Sequence, residues 1–385
     1  MEKGTKIQIT TIVVLLILLT TTFSGCFEEE PKTILPDEGL IVKPPSDYPS
    51  ILPNWTNGEY HDYKTTKNML YEYNEKYPNL TNIFSIGKSV LGKDILCIKI
   101  TNEKNNSEKY SCLLDGCIHG NEWESGDACL YLAEYLLLNF GLNSTIKNIL
   151  NNSEIYIVPL FNPDGRDNNE RWNENGVDLN RNFDVHFGRL RSNNYPLGKL
   201  FGFIKIPMIR RPLKNKVSTN CGRRAFSEPE TQALRDLMKS LERYSFYINC
   251  HTAQHSFAAQ GNILYKPEFV VKDYERKITN VVIDWVEVNT EYNGLRGENF
   301  NHTGIGCASD WVFKKYRITS FIFELLNTDY EPWYGAGRHD NLVHWMKTAL
   351  PIFMFLLVNI ENLYNWEIPD IYPVLPEGIP PLPLK

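Results

Sequence analysis

The chain has 385 residues, of which 42% are hydrophobic and 22% charged, and its formal net charge is −6. That length supports one large domain or two modest ones with a sizeable core, and the composition excludes a collagen-like or largely disordered chain. The mild acidic balance gives no electrostatic basis for binding nucleic acid.

Residues 1–26 depart from this average. Lys3 and Lys6 precede the run "IQITTIVVLLILLTTTFSGC", and no charge follows until Glu28. A basic region, an apolar region and small residues in that order form an export signal. Two readings stay open. "FSGC" is similar to the lipobox of prokaryotic lipoproteins, in which Cys26 would be lipidated. Alternatively, the run is an uncleaved anchor, because about 19 apolar residues approach the length that spans a bilayer. Both readings put the remaining chain outside the cell, at the outer face of the cytoplasmic membrane. Residues 27–58 are rich in Pro and acidic side chains and read as a flexible tether.

Order is expected from about residue 59. "HDYKTTKNMLYEYNEKYP" has helical spacing and stops at Pro78. The strand-like runs "NIFSIGKS", "DILCIKIT" and "YSCLLDGCI" follow, the first two joined by a hairpin at Leu91-Gly92. A helix runs through "ACLYLAEYLLLNF" to Gly141, and "EIYIVPLFN" reads as a strand buried on both faces. "SEPETQALRDLMKSL" should start a helix with Ser227 as N-cap, Pro229 early and Glu230 closing a capping box. "SFYINCH" is another buried strand, Glu268 to Tyr292 is largely helical, and "TSFIFEL" is the last strand. Asp340 to Trp366 reads as a terminal helix that Pro351 kinks or divides. Residues 367–385 form a Pro-rich tail. Strands alternating with helices argue for a single α/β domain with a mixed sheet over residues 59–366. Besides Cys26 there are seven cysteines, an odd number with no Cys-x-x-Cys pair, and they read as buried small hydrophobes.

His119 and Glu122, three apart where a strand ends, carry little weight alone. His251 ends "SFYINCH", however, and Glu324 lies inside "SFIFEL", where an unpaired carboxylate is costly. Two imidazoles and one carboxylate make a catalytic zinc set that leaves a position open for water. A further carboxylate off the metal is what a hydrolase uses as general base. Between them, Arg171, Asn180 and Arg181 lie in "RWNENGVDLNRNFD". Arginines beside such a set suit an anionic substrate group or a developing oxyanion; the plainer role is to brace loops.

With these pieces assembled, the chain resembles the zinc metallocarboxypeptidases of the carboxypeptidase A type, from Tyr60 to about Trp366. The resemblance rests on "GCIHGNEWES", "FNPDG", "RWNENGVDLNRNFD", "FSEPET", "NCH" and "SDWVFKKYRITSFIFEL" in that order. It implies a central eight-stranded mixed sheet flanked by helices, and one Zn2+ held by His119, Glu122 and His251. It further implies Glu324 as the base for the attacking water and Arg171 on the scissile carbonyl. Asn180 and Arg181 would then grip the C-terminal carboxylate of a peptide or protein substrate. The expected protein is a monomeric hydrolase trimming peptides outside the cell.

The chain departs from the family at several points. His302 stands where relatives carry a mobile tyrosine, and would either donate to substrate or be an ordinary loop residue. Asn220 replaces a common "YxG" position. Ser309, at the position that often sets C-terminal preference, is small and uncharged, which argues against selection of Lys or Arg ends. The basic stretch 184–224 is either a solvated loop or a rim for acidic polymers. Two other functions share parts of the pattern. Aspartoacylase-like amidohydrolases of small acyl-amino acids share "HGNE" and "DLNR", and a non-catalytic C-terminus-binding module would keep the pocket but has no use for Glu324.

Overall fold

Apolar runs that meet both faces of one sheet organise the chain. The computed structural model describes residues 51–185, 187, 220–252, 255–259, 272–295, 306–325 and 342–367. The expectations for Cys26, residues 27–50, His302, most of the basic stretch and the tail from residue 368 lie outside the described residues.

Helix α1 (Tyr63–Lys76) starts at Asp62, whose carboxylate accepts from Thr65 N at 2.7 Å, a side-chain N-cap. Strands β1 (Thr81–Lys88) and β2 (Asp94–Ile100) pair antiparallel as the predicted hairpin. Then come β3 (Tyr110–Asp115), α2 (Trp123–Asn139), α3 (Ser144–Asn152), β4 (Ser153–Val158) and α4 (Pro163–Asn168). The second half holds α5 (Pro229–Ser240), β5 (Tyr244–Thr252), β6 (Ser256–Ala259), α6 (Asp273–Asn289) and β7 (Asn293–Leu295). It ends with α7 (Ala308–Tyr316), β8 (Thr319–Leu325), α8 (Leu342–Val358) and α9 (Ile360–Asn365).

The strands form the expected eight-stranded mixed sheet, in the order β1-β2-β4-β3-β5-β8-β6-β7. Strands β4, β3, β5 and β8 run parallel, with antiparallel pairing at β2–β4 and β8–β6. The parallel strands β3 and β8 are buried throughout, because helices cover both faces. Alternation sorts their side chains. Cys112, Leu114, Phe246, Ile248, Phe321 and Phe323 join a core with α2, α3, α6 and α8. Leu113 and Tyr247 join a second core with α5 and α7. Strand β4 lies on one side of β3 and β5 on the other, so a crevice opens at the carboxyl ends of the strands around β3.

Two local expectations are corrected. The N-cap of α5 is Glu228, not Ser227, and no side chain caps it. Ser227 Oγ donates instead to Glu228 Oε1 at 2.6 Å, while Glu230 accepts from Val90 N and Asn173 Nδ2. The acids of "SEPE" are used to tie loops, which removes them from the cap. Pro351 sits inside α8, and the division comes at Asn359. Residues 349–357 of α8 are buried in the first core. That packing outweighs the loss of about 3 kcal/mol that an internal proline brings.

Upstream of α1 the chain is pinned to α2. Ile51 exchanges two hydrogen bonds with the Asn139 side chain, at 2.6 and 2.8 Å, and Trp55 Nε1 donates to Glu134 at 2.7 Å. All seven cysteines outside the N-terminal segment are buried, as expected, and none forms a disulfide. Among the described residues no helix is long and apolar enough to cross a membrane.

Candidate active site

A tight turn after β3 delivers the first two site residues. Cys117 takes φ +52°, a left-handed conformation unusual for a residue with a Cβ. Its amide donates to Ser125 Oγ at 2.8 Å, and that hydroxyl donates to Glu122 O at 2.5 Å. Gly120 packs so closely on α4 that a Cβ would lie 2.1 Å from the Gly165 carbonyl carbon. Only glycine fits there, and the contact fixes His119 and Glu122 at the start of α2.

His251 comes from the end of β5, where it stands in register with Glu324 on β8. The four residues converge at the carboxyl ends of β3, β5 and β8. Glu122 Oε1 lies 2.7 Å from His119 Nδ1, and its Oε2 lies 2.8 Å from His251 Nδ1. All three residues are buried, and their candidate ligand atoms lie within 4.8 Å of one another.

The far sides of the imidazoles also meet acceptors. His119 Nε2 lies 3.1 Å from Asp178 Oδ1, and His251 Nε2 lies 2.5 Å from Asn249 Oδ1. Each ring therefore has oxygen on both nitrogens, whereas a neutral imidazole carries a single proton. A cation between Glu122 and the two Nδ1 atoms resolves this mismatch, and a His-Glu-His set suits zinc. The residues present fit the metal. Burial opposes ionisation of Glu122, yet the imidazoles of His119 and His251 hold its carboxyl below the usual range.

Asp178, to which the sequence reading assigned no role, ties the site together. It accepts from His119 and, at 3.0 Å, from Arg171 Nε. Although burial opposes its charge, Arg171, His119 and Arg181 hold its carboxyl well below the ordinary range. Arg171 Nη1 also reaches Glu122 Oε1 at 3.3 Å. Glu324 is 6% exposed. Burial, reinforced by the charge of Glu122, pushes its carboxyl up to about 7 against the pull of His251, Arg171 and Arg181.

Asn180 lies next to the metal set, with Nδ2 3.1 Å from His251 Nε2 and Oδ1 accepting from Ala308 N at 2.9 Å. Arg181 donates through Nη1 to Asn180 O at 2.7 Å and to Cys307 Sγ at 3.3 Å. Gly306, at φ +64°, lets this strand of chain pass, since a Cβ there would sit 2.1 Å from Arg181 O. Ser309 follows at the start of α7, fully buried; its carbonyl accepts from Ser320 Oγ, and its hydroxyl has no hydrogen-bond partner among the described residues. The loop holding these residues is braced by Asn220, which accepts from Asp178 N and donates to Gly176 O.

The zinc carboxypeptidase family pattern matches residues 66–335, a span that takes in every one of these side chains. The chain belongs to the zinc carboxypeptidase family. It is 23% identical to carboxypeptidase A6 of Homo sapiens over 290 residues, covering 70% of this chain and 61% of that protein. It is 30% identical to carboxypeptidase D of Homo sapiens over 166 residues, covering 39% of this chain and 12% of that one. The chain thus spans less than two thirds of these relatives' own length. In fold it matches the crystal structure of thrombin activatable fibrinolysis inhibitor, with a TM-score of 0.62, 21% identity and coverage of 80% of this chain and 75% of that one. Carboxypeptidase A from Helicoverpa armigera matches at a TM-score of 0.61, 20% identity and coverage of 80% and 74%. Zinc is the metal of this family, and His119, Glu122 and His251 are the group able to hold it.

The zinc carboxypeptidase site shares an unusual feature with its surroundings. Asp115, Glu124, Glu230 and Glu324 are each pushed up to about 7 by burial, from ordinary values of 3.8 for Asp and 4.5 for Glu. Between those limits the native state holds more protons than the unfolded chain, so stability falls as pH rises through the window. Denaturant unfolding of the metal-free protein should give a lower midpoint at about pH 8 than at about pH 5. A higher midpoint at the upper pH would contradict this assignment.

Proposed function

We propose that this protein is an active zinc carboxypeptidase that removes C-terminal residues from peptides outside the cell. One observation carries the reading: the Asn180 side chain touches the metal-ligand candidate His251, and the next residue is a fixed, partly exposed arginine. A cation one residue from the metal set is suited to a substrate carboxylate adjacent to the scissile bond. Asn180 supports it, because its oxygen is taken by Ala308 N and its amide nitrogen is left facing the site.

His119, Glu122 and His251 would hold zinc, which when bound acidifies a water and polarises a carbonyl. Arg171 is oriented by Asp178 and Glu122 and would donate through Nη2 to the scissile carbonyl oxygen. Glu324 would take a proton from the attacking water and return it to the leaving amine. Arg181 and Asn180 would hold the terminal carboxylate, so that the last peptide bond lies over Glu324.

The test compares peptides with free and amidated C-termini, together with small acyl-amino acids, products being read by mass spectrometry. Free peptides should be trimmed and amidated ones largely spared, and Arg181→Ala should raise KM and erase that difference. Equal cleavage of both forms by the wild type would defeat the exopeptidase reading. Turnover of acyl-amino acids alone would favour an amidohydrolase, and binding without turnover a recognition module. Within the same peptide set, ends that are apolar or small should be preferred over Lys or Arg, because Ser309 brings no charge.

The extracellular setting and the membrane attachment are part of this proposal and rest on residues 1–26, with Cys26 as the lipidation site. Membrane-fraction recovery and the mass of the mature N-terminus test them. Recovery of an unprocessed chain from the cytosol would sink the export reading.

A further inference from the structure

Strand β5 carries Tyr247, Asn249 and His251 at alternate positions, so the three side chains share one face. Asp115, the last residue of β3, stands in register with Asn249. Tyr247 Oη donates to Asp115 Oδ2 at 2.5 Å, Asn249 Nδ2 donates to Asp115 Oδ1 at 2.5 Å, and Asn249 Oδ1 meets His251 Nε2 at 2.5 Å. All four side chains are buried. We propose that Tyr247, Asp115 and Asn249 are positioning residues, a relay that fixes His251 with its proton on Nε2 and its Nδ1 bare for the metal that Glu122 would share.

The logic follows from donors and acceptors. A carboxylate only accepts, so Asp115 obliges Asn249 to turn its NH2 toward it. The amide oxygen then faces His251, and an oxygen calls for a proton on Nε2. A neutral imidazole has no second proton, which leaves the Nδ1 lone pair for a metal that Glu122, whose Oε2 lies 2.8 Å away, would share. Asn180 Nδ2, at 3.1 Å from the same Nε2, makes the opposite demand. It has a second hydrogen to direct elsewhere and the longer contact, whereas Asn249 Oδ1 can only accept.

The inference rests on His251 being a zinc ligand, and the experiment separates the two. The full chain, labelled with 15N at histidine, is measured with zinc added at a pH well above the Asp115 range, with His251→Gln used to assign the signal. His251 should be protonated on Nε2 alone. Zinc affinity is then read by chelator competition. Asn249→Leu and Asp115→Leu should weaken it by roughly 10–100-fold, the usual cost of losing a partner that orients a ligand. Asp115→Asn should stay close to the wild type, since an amide can still accept from Asn249. A proton on Nδ1 in the wild type overturns the relay, as does unchanged zinc affinity in folded Asn249→Leu. Should the leucine variants not fold, the wild-type proton position decides alone. Wild-type affinity in His251→Gln would instead mean that the metal-site reading itself is wrong.

Discussion

Replacing any one of His119, Glu122 or His251 by a side chain that cannot ligate should remove zinc and, with it, nearly all peptide hydrolysis. The three residues are presented by two parallel strands and a helix start, and no other group of metal-binding side chains occurs among the described residues. Polarisation by a metal contributes several kcal/mol to such a transition state, which corresponds to about 10³-fold or more in rate. The fold should survive, because the site lies at the rim of the sheet and both cores are built without it. Chelation should therefore abolish activity with little change in far-ultraviolet dichroism, and added zinc should restore activity. Elemental analysis should give about one zinc per wild-type chain and markedly less in each variant. Full zinc content in all three variants would refute the site.

The metal set was legible in the sequence because each member ends or follows a run whose apolar neighbours make a polar residue costly. His251 and Glu324 stand out in "YINCH" and "FIFEL" for that reason alone. The α/β architecture was legible for a related reason: β3, β5 and β8 are buried on both faces and read as unbroken apolar runs. Strands β6 and β7 were not, being only four and three residues long. Helix α3 was also missed, although Asn143 caps it by accepting from Thr145 N and Ile146 N. Its nine residues are too few for the 3.6-residue period to show clearly against loop-like Asn and Ser.

Asp178 and Asp115 mark the deeper limit. Asp178 bonds His119 across 59 residues of sequence, and Asp115 bonds Asn249 across 134. Both pairings depend on strand register and loop closure, which local pattern does not encode. A usable trace was present in β5, where Tyr247, Asn249 and His251 recur at the strand period. Polar residues on one face of a buried strand signal a site on that face, even before the partner is known.

Glu324→Gln should leave a protein that binds zinc and peptide but turns over about 10²–10⁴-fold more slowly, the range for loss of a general base. Glutamine keeps the size and hydrogen-bonding reach of the side chain and cannot accept a proton. Among the described residues no hydrogen bond ties Glu324 to the metal set, beside which it stands in register with His251. Its burial serves the chemistry. A carboxyl held near 7 is a stronger base than an exposed one, and zinc's charge, when present, draws it back toward the ionised form needed to accept the proton. The loss should therefore fall on kcat, with KM and zinc content close to wild type. A variant in which KM rises while kcat is kept would make Glu324 a binding residue. Loss of zinc would make it a ligand, and either result would remove the base from the proposed mechanism.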